Sequence, residues 1–212
     1  VKISLTCIDT LNNQGTIRAV KTTLDTIPQI SKVYWFSDIP FPEELRCEVE
    51  WTKVAKIRPE NFIKDYNFLS LFLVPSIVKD DYNIIVQSDG FAVNPEAWTY
   101  EFLDYDYIGA VWPWIDPGVN VGNGGFSLRS KKLYEALLNT RAYENDGAED
   151  TIIGTTTRPI LESQYGIKYA PIELADRFSI EHNTNSPWFK KSLGFHGKHG
   201  IANHYDVNLG DL

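Results

Sequence analysis

The stretch "YNIIVQSDGFAVNP", Tyr82 to Pro95, decides the fold. Its apolar run, Ile84-Ile85-Val86, gives way at once to the polar tetrad Gln87-Ser88-Asp89-Gly90. A short apolar run bounded by turn residues is the pattern of a strand buried on both faces. Upstream, "VKISLTCID" (Val1 to Asp9), "KVYWFSD" (Lys32 to Asp38) and "CEVEWTKV" (Cys47 to Val54) read as three further strands. Between them, Ile17, Val20, Leu24 and Ile27 keep helical spacing, with Thr16 expected as the cap and Pro28 as the stop. After Pro59, the residues Phe62, Ile63, Tyr66, Leu69, Phe72 and Leu73 repeat at helical intervals, and Pro75 is expected to kink or end that helix. The order β-α-β-β-α-β predicts an α/β fold, a mostly parallel sheet with helices on its faces. Such sheets bind ligands beyond the carboxyl ends of their strands. Asp9, Asp38 and Asp89 each close a strand. One such Asp is an ordinary turn residue, but three along one edge would make a polar rim able to take a metal.

The 212 residues suit one domain. It is expected to have two halves, about 1–104 for nucleotide binding and about 105–212 for the acceptor and the metal site. Cys7 and Cys47 are the only cysteines, too few and too far apart for a disulfide framework or a zinc site. With no run approaching the ~20 apolar residues of a membrane span and no export-signal pattern, the expectation is a cytoplasmic location. The net charge of -8 argues against a nucleic-acid partner held by the overall field. One segment, Pro187 to Gly200 ("PWFKKSLGFHGKHG"), runs against that balance with three lysines, two histidines and no acid. It is either a solvated loop or a seat for a small anion.

The second half is rich in Trp, Gly, Asn and Pro across "YDYIGAVWPWIDPGVNVGNGGFSLRS" (Tyr105 to Ser130). Ser130 is expected to cap a helix bearing Leu133, Ala136 and Leu137, and "GAEDTIIGTTT" to open another with two acids in its first turn. "IKYAPIELADRFSIEH" reads as one or two short strands. The run in "VGNGGFSLRS" lacks the Gly-Lys-Ser/Thr of a P-loop and does not follow the first strand, so it is no dinucleotide fingerprint. It is either a tight hairpin or backbone that a ligand can approach closely. Glu149 and Asp150 suit the positive end of a helix, and either could serve as a general base. His196 lies between Phe195 and Gly197, and the nearby glycines predict a loop, where most histidines bind nothing.

In order, "VQSDGF", "YDYIGAVWP", "VGNGGFSLRS", the Glu149-Asp150 pair and "GFHG" resemble a family of short glycosyltransferase-like proteins. These carry a domain of unknown function related to the GT-A glycosyltransferases. The resemblance runs from about Tyr82 to Gly197 and is strongest in "VGNGGFSLRS". It implies a Rossmann-like, GT-A nucleotide-binding sheet followed by a smaller acceptor half. The family's acidic motif, usually Asp-x-Asp, falls on Gln87-Ser88-Asp89, where Gln replaces the first acid. The resemblance implies that Asp89 and His196 hold a divalent cation, Mn or Mg, and that Lys190, Lys191 and Lys198 lie near a pyrophosphate. It implies Asp9, with Thr10, and Asp38 at the nucleobase and ribose, and Asn123, Gly124 and Gly125 at the sugar and acceptor. It puts Asp150 or Glu149 where inverting members keep their base. Trp112 and Trp114 would stack on sugar rings or wedge the two halves together.

The function so implied is transfer of a sugar from a nucleotide-sugar donor, with UDP the first expectation, to a hydroxyl acceptor. That acceptor is a glycan, a lipid-linked sugar or another hydroxyl; a modified base in DNA is disfavoured by charge. A nucleotidyltransferase is one rival, but it needs a basic Gly-rich loop after the first strand, where "DTLNNQGTIR" holds one Gly and one Arg. A non-enzymatic carbohydrate-binding module is the other; the six Trp fit it, but the carboxylate rim and the basic loop do not.

Overall fold

Every residue of β1 (Ile3–Ile8) is buried. Ile3, Leu5 and Cys7 enter one apolar core with Ile17, Val20 and Leu24 of α1 (Asn13–Thr26), whereas Ile8 enters a second core. In β2 (Ile30–Ser37), Val33 and Trp35 join the first core, and Tyr34 and Phe36 the second. Side chains of a strand point alternately to its two faces, so a sheet covered on both sides needs apolar residues at consecutive positions. The computed structural model describes residues 1–197 and 199–209. In it, β1, β2, β3 (Glu48–Lys53) and β4 (Tyr82–Val86) are parallel, in the order β3-β2-β1-β4. The chain then turns back into β5 (Gly90–Ala92). β7 (Ser127–Ser130) lies antiparallel beside β4, and β6 (Tyr107–Ile108) lies antiparallel to β7 at the edge of the main sheet. A second sheet has the order β5-β9-β8, from β8 (Ser179–Ile180) and β9 (Gly194–His196). The fold class is therefore the expected one, a mostly parallel sheet flanked by helices.

Helix boundaries differ from expectation where local hydrogen bonds decide them. α1 begins at Asn13, not behind Thr16, because the Asn12 side chain accepts the Gly15 N–H at 3.1 Å. Thr16 lies inside the first turn, and its hydroxyl donates to the Asp9 carboxylate. Pro75 does not end its helix. After α2 (Phe62–Phe68), a π-helical turn (Leu69–Leu73) carries the chain into α3 (Val74–Ile77). That wider turn sits where the missing N–H and the ring of Pro75 would disrupt regular helix. Ser130 caps α4 (Lys131–Asn139) as expected, accepting from Leu133 N–H. The paired acids open α5 (Glu149–Thr151), which continues through a π-helical turn toward α6 (Arg158–Tyr165). The segment expected as short strands is mainly α7 (Ile172–Phe178). Its buried residues Leu174, Ala175 and Phe178 have helical spacing, and only Ser179–Ile180 pairs as a strand. A last short helix, α8, spans His199–Ala202.

Candidate active site

Winding reverses between β1 and β4, since β2 and β3 lie to one side of β1 and β4 to the other. The crevice beyond the carboxyl ends there is where α/β sheets take ligands. Asp9 and the Gln87–Asp89 segment stand at it, lining a cavity of about 320 Å³ with Asn12, Thr16 and Tyr66. Asp89 also lines the next cavity, about 670 Å³, with Glu181, His182 and His196. Glu181 and His182 in turn line a third, about 380 Å³, with Trp112, Trp114, Asn123 and Asp150. Shared walls make the three one continuous cleft.

Ser88 and Asp89 form the tip of a tight turn: Gln87 and Gly90 exchange backbone hydrogen bonds at 2.9 and 3.1 Å. The turn presents Asp89 to β9, where Gly90 pairs with His196 and Gly197 N–H donates to Asp89 O at 2.9 Å. His196 Nε2 lies 3.8 Å from Asp89 Oδ1 and 3.2 Å from Gln87 Oε1, and its Nδ1 lies 3.0 Å from Glu181 Oε1. Gln87 also donates from Nε2 to the Tyr66 hydroxyl at 2.8 Å. Burial lowers the His196 pKa, but the hydrogen bond to Glu181 and the charges of Asp89, Glu181 and Asp150 outweigh it and hold the imidazole above its ordinary value.

The two adjacent acids part company. Glu149 is buried and paired with the fully buried Arg129 at 2.5 Å, an ion pair that supports the glycine-rich segment from below. Asp150 is half-buried and lines the cleft. Desolvation, then the Glu149 charge, raise its pKa to about 6, against the opposing pull of the Thr151 and Gly124 backbone N–H groups and His196. The glycines of "VGNGGFSLRS" are not a hairpin tip. A Cβ on Gly124 would strike the Glu149 carboxylate, one on Gly125 the His196 ring, and one on Gly122 the Trp112 indole. They let three side chains lie directly on backbone, while Asn123 Oδ1 accepts Gly125 N–H at 3.0 Å.

Other expected residues scatter. Asp9 accepts from Leu11 N, Asn12 N and Thr16 Oγ1, so most of its carboxylate is engaged in the turn into α1. Thr10 Oγ1 accepts Ile57 N–H at 2.8 Å and is buried, holding the loop before α2. Asp38 lines none of the three cavities, because β2 ends one strand away from the reversal point. Lys191, expected near a pyrophosphate, lines none of the three cavities of the cleft. It lies before β9 at the end opposite His196, lining a separate cavity with Lys190, Trp188 and Glu96. Lys198 lies outside the described residues. Trp112 is 6% exposed and packs against Gly122 and Gly154 as core; Trp114 is 63% exposed, with its ring 4.9 Å from that of His182. Glu181, Tyr66 and Arg129 were not singled out from the sequence; an acid beside a strand-like "SI" was the only signal for Glu181.

The donor chemistry suits a hard cation with limits. Asp89 offers oxygen and His196 a ring nitrogen whose partner nitrogen faces a carboxylate, the arrangement typical of metal-bound histidine. Among the described residues no cluster of three or more His, Cys, Asp or Glu could hold a metal unaided. Two protein ligands suffice for Mg²⁺ or Mn²⁺ only when phosphate oxygens fill the rest of the sphere.

A mostly parallel sheet reversing at β1/β4, with its cleft there and an antiparallel annex, defines a GT-A-type fold. Residues 54–196 match the family described as "Protein of unknown function (DUF5672)", and the chain belongs to that family. The structure is similar to a glycosyltransferase involved in glycosylation of the major capsid of PBCV-1, with TM-score 0.59 at 10% identity over 97% of this chain and 98% of that one. It is similar to the glycosyltransferase GlyE of Streptococcus pneumoniae TIGR4, with TM-score 0.59 at 12% identity, covering 99% of this chain and 61% of that longer one. Mouse xyloside xylosyltransferase 1 is similar with TM-score 0.54 at 12% identity over 95% and 99% of the two chains. No curated protein sequence matches. No helix among the described residues is long and apolar enough to cross a membrane.

Proposed function

We propose that the protein transfers a sugar from a nucleotide donor, a UDP-sugar first among them, to a hydroxyl acceptor, with Asp150 taking the acceptor's proton. The observation that carries the reading is the Asp150 carboxyl, with a pKa raised to about 6, in the same cleft as the Asp89–His196 pair. A base acting near neutral pH needs a pKa close to that range. As the glycosidic bond breaks, the nucleoside diphosphate gains negative charge. Asp89 and His196 would hold a divalent cation, Mn or Mg, which supplies countercharge to that leaving group. Glu181 holds the His196 ring beforehand through Nδ1, while Nε2 would exchange its Gln87 hydrogen bond for the cation. Gly124 N–H and the helix start at Glu149 hold Asp150 while it accepts the hydroxyl proton. A base on the acceptor corresponds to one displacement, with inversion at the anomeric carbon. Trp114 offers an exposed aromatic face to the acceptor's ring.

The three similar solved structures described above, each a glycosyltransferase, support the reading. The nucleotidyltransferase alternative lacks a basic Gly-rich loop after β1, where Asn12 instead caps a helix. A binding module would use Trp114 but has no need of Asp150. The test is a thermal-shift screen of UDP-, GDP-, CMP- and ADP-sugars with and without Mn²⁺, followed by product analysis. A UDP-sugar is expected to raise the melting temperature by about 2–6 °C, more so with Mn²⁺. Protection by nucleoside triphosphates and by no sugar nucleotide would overturn the assignment. Retention of anomeric configuration would remove Asp150 as base.

A further inference from the structure

A second concavity lies beside the cleft. A groove of about 810 Å³ runs between α2 and the segment 143–147. Phe62 lines both this groove and the Asp9–Gln87 cavity, and Gly147, on its far wall, is three residues ahead of Asp150. The groove therefore adjoins the cleft at its Asp9–Gln87 end.

The groove wall is apolar where a free helix face would normally be polar. Ile63 is 53% exposed and Phe68 48%, about 140° apart around α2, and both line the groove. Between them Asn67 is only 5% exposed: its Nδ2 donates to Gly147 O at 2.6 Å, while its Oδ1 is buried with no hydrogen-bond partner. A buried carbonyl left unpaired is costly, and its complement is an N–H or O–H donor. The charged lining residues are Glu60, Glu144 and Asp146 against Lys64, with Glu144 already paired to Arg141, so Glu60 and Asp146 carry the acidic excess.

We infer that this groove binds a polypeptide segment carrying apolar and basic side chains, and that it delivers the acceptor hydroxyl of that segment to Asp150. The second clause rests on the transferase reading. A backbone amide satisfies Asn67 Oδ1, apolar side chains cover Ile63 and Phe68, and basic ones meet the acidic rim. An anionic lipid-linked sugar would bring its phosphates to Glu60, Glu144 and Asp146.

The experiment is fluorescence polarisation of the full chain with a labelled Ser-containing peptide of Leu, Phe and Lys, and with the same peptide carrying Glu for Lys. Competing probes are an unlabelled cellohexaose and phosphatidylglycerol vesicles. The basic peptide is expected to bind, the acidic one not. Phe68→Ser, Ile63→Ser and Glu60→Lys should each weaken binding by about fivefold to tenfold, with the melting temperature and any UDP-sugar shift unchanged. Equal binding of both peptides, indifference to these substitutions, or displacement by cellohexaose or by vesicles overturns the inference. The UDP-sugar shift is read in the same samples: its absence removes the transferase reading alone, and its presence without peptide binding removes the groove alone.

Discussion

Asp150 and Glu149 are neighbours with opposite obligations. Asp150 is held with its pKa near 6, so the folded state keeps its proton more tightly than the unfolded chain does. Between roughly pH 4 and 6 folding takes up that proton, and stability falls as pH rises through the window; above it the whole cost remains. Asp150→Asn should therefore stabilise the fold at neutral pH by on the order of 1 to 2 kcal/mol and by almost nothing near pH 4. Melting curves at the two pH values check this. The same variant should lose about 10²- to 10⁴-fold in turnover, and the wild-type rate should fall on the acid side of about pH 6. Full turnover in Asp150→Asn would end its role as base. Glu149→Gln behaves oppositely. It leaves the Arg129 guanidinium buried without its counter-charge, and removal of one partner of such a pair costs about 3 to 5 kcal/mol. A lowered denaturation midpoint in Glu149→Gln beside a raised one in Asp150→Asn would separate support from chemistry.

The segment 122–130 does at the level of an element what no single residue could. It runs as bare backbone beneath His196, Glu149 and Trp112, then enters β7, whose Arg129 anchors Glu149. Gly125→Ala should push the His196 ring away from Gln87 and Asp89. The expected outcome is loss of the UDP-sugar thermal shift with a folded, cooperative melt; an undiminished shift would mean the ring's position is unimportant. Signals confined to one element were legible in the sequence: the apolar runs of the strands, the Ser130 cap and the turn at Asp89. The close packing was not, because a glycine needed for clearance looks like one needed for a turn. α7 was misread because "IELADRF" mixes apolar and polar residues too closely for its period to show, and burial of Leu174, Ala175 and Phe178 decides it. Lys191 is placed near a pyrophosphate by the family resemblance alone, and in the structure it lines a cavity apart from the cleft. Glu181 was missed because its tie to His196 depends on β8 and β9 pairing in parallel.

Across the whole molecule, the candidate site is assembled from the start, middle and end of the chain. Arg18 shows how these are tied. Its Nη1 donates to Leu209 O at 2.9 Å and Asn208 O at 3.3 Å, and its Nη2 to Ser88 O at 3.4 Å. One guanidinium thus joins α1, the turn bearing Asp89 and the segment that ends in buried Leu209. A fork of several donors can serve three carbonyls at once, whereas a lysine ammonium is a single point on a flexible stem. Arg18→Ala should loosen the Ser88–Asp89 turn, weakening donor affinity about fivefold to tenfold while costing roughly 1 to 2 kcal/mol of stability. Arg18→Lys should recover stability more than affinity, since charge returns but the geometry does not. Donor titration and chemical denaturation of both variants measure the two effects separately. If Arg18→Ala binds the donor like the wild type, the turn is fixed by the Gln87–Gly90 pairing and β9 alone, and the chain's last segment stands apart from the site.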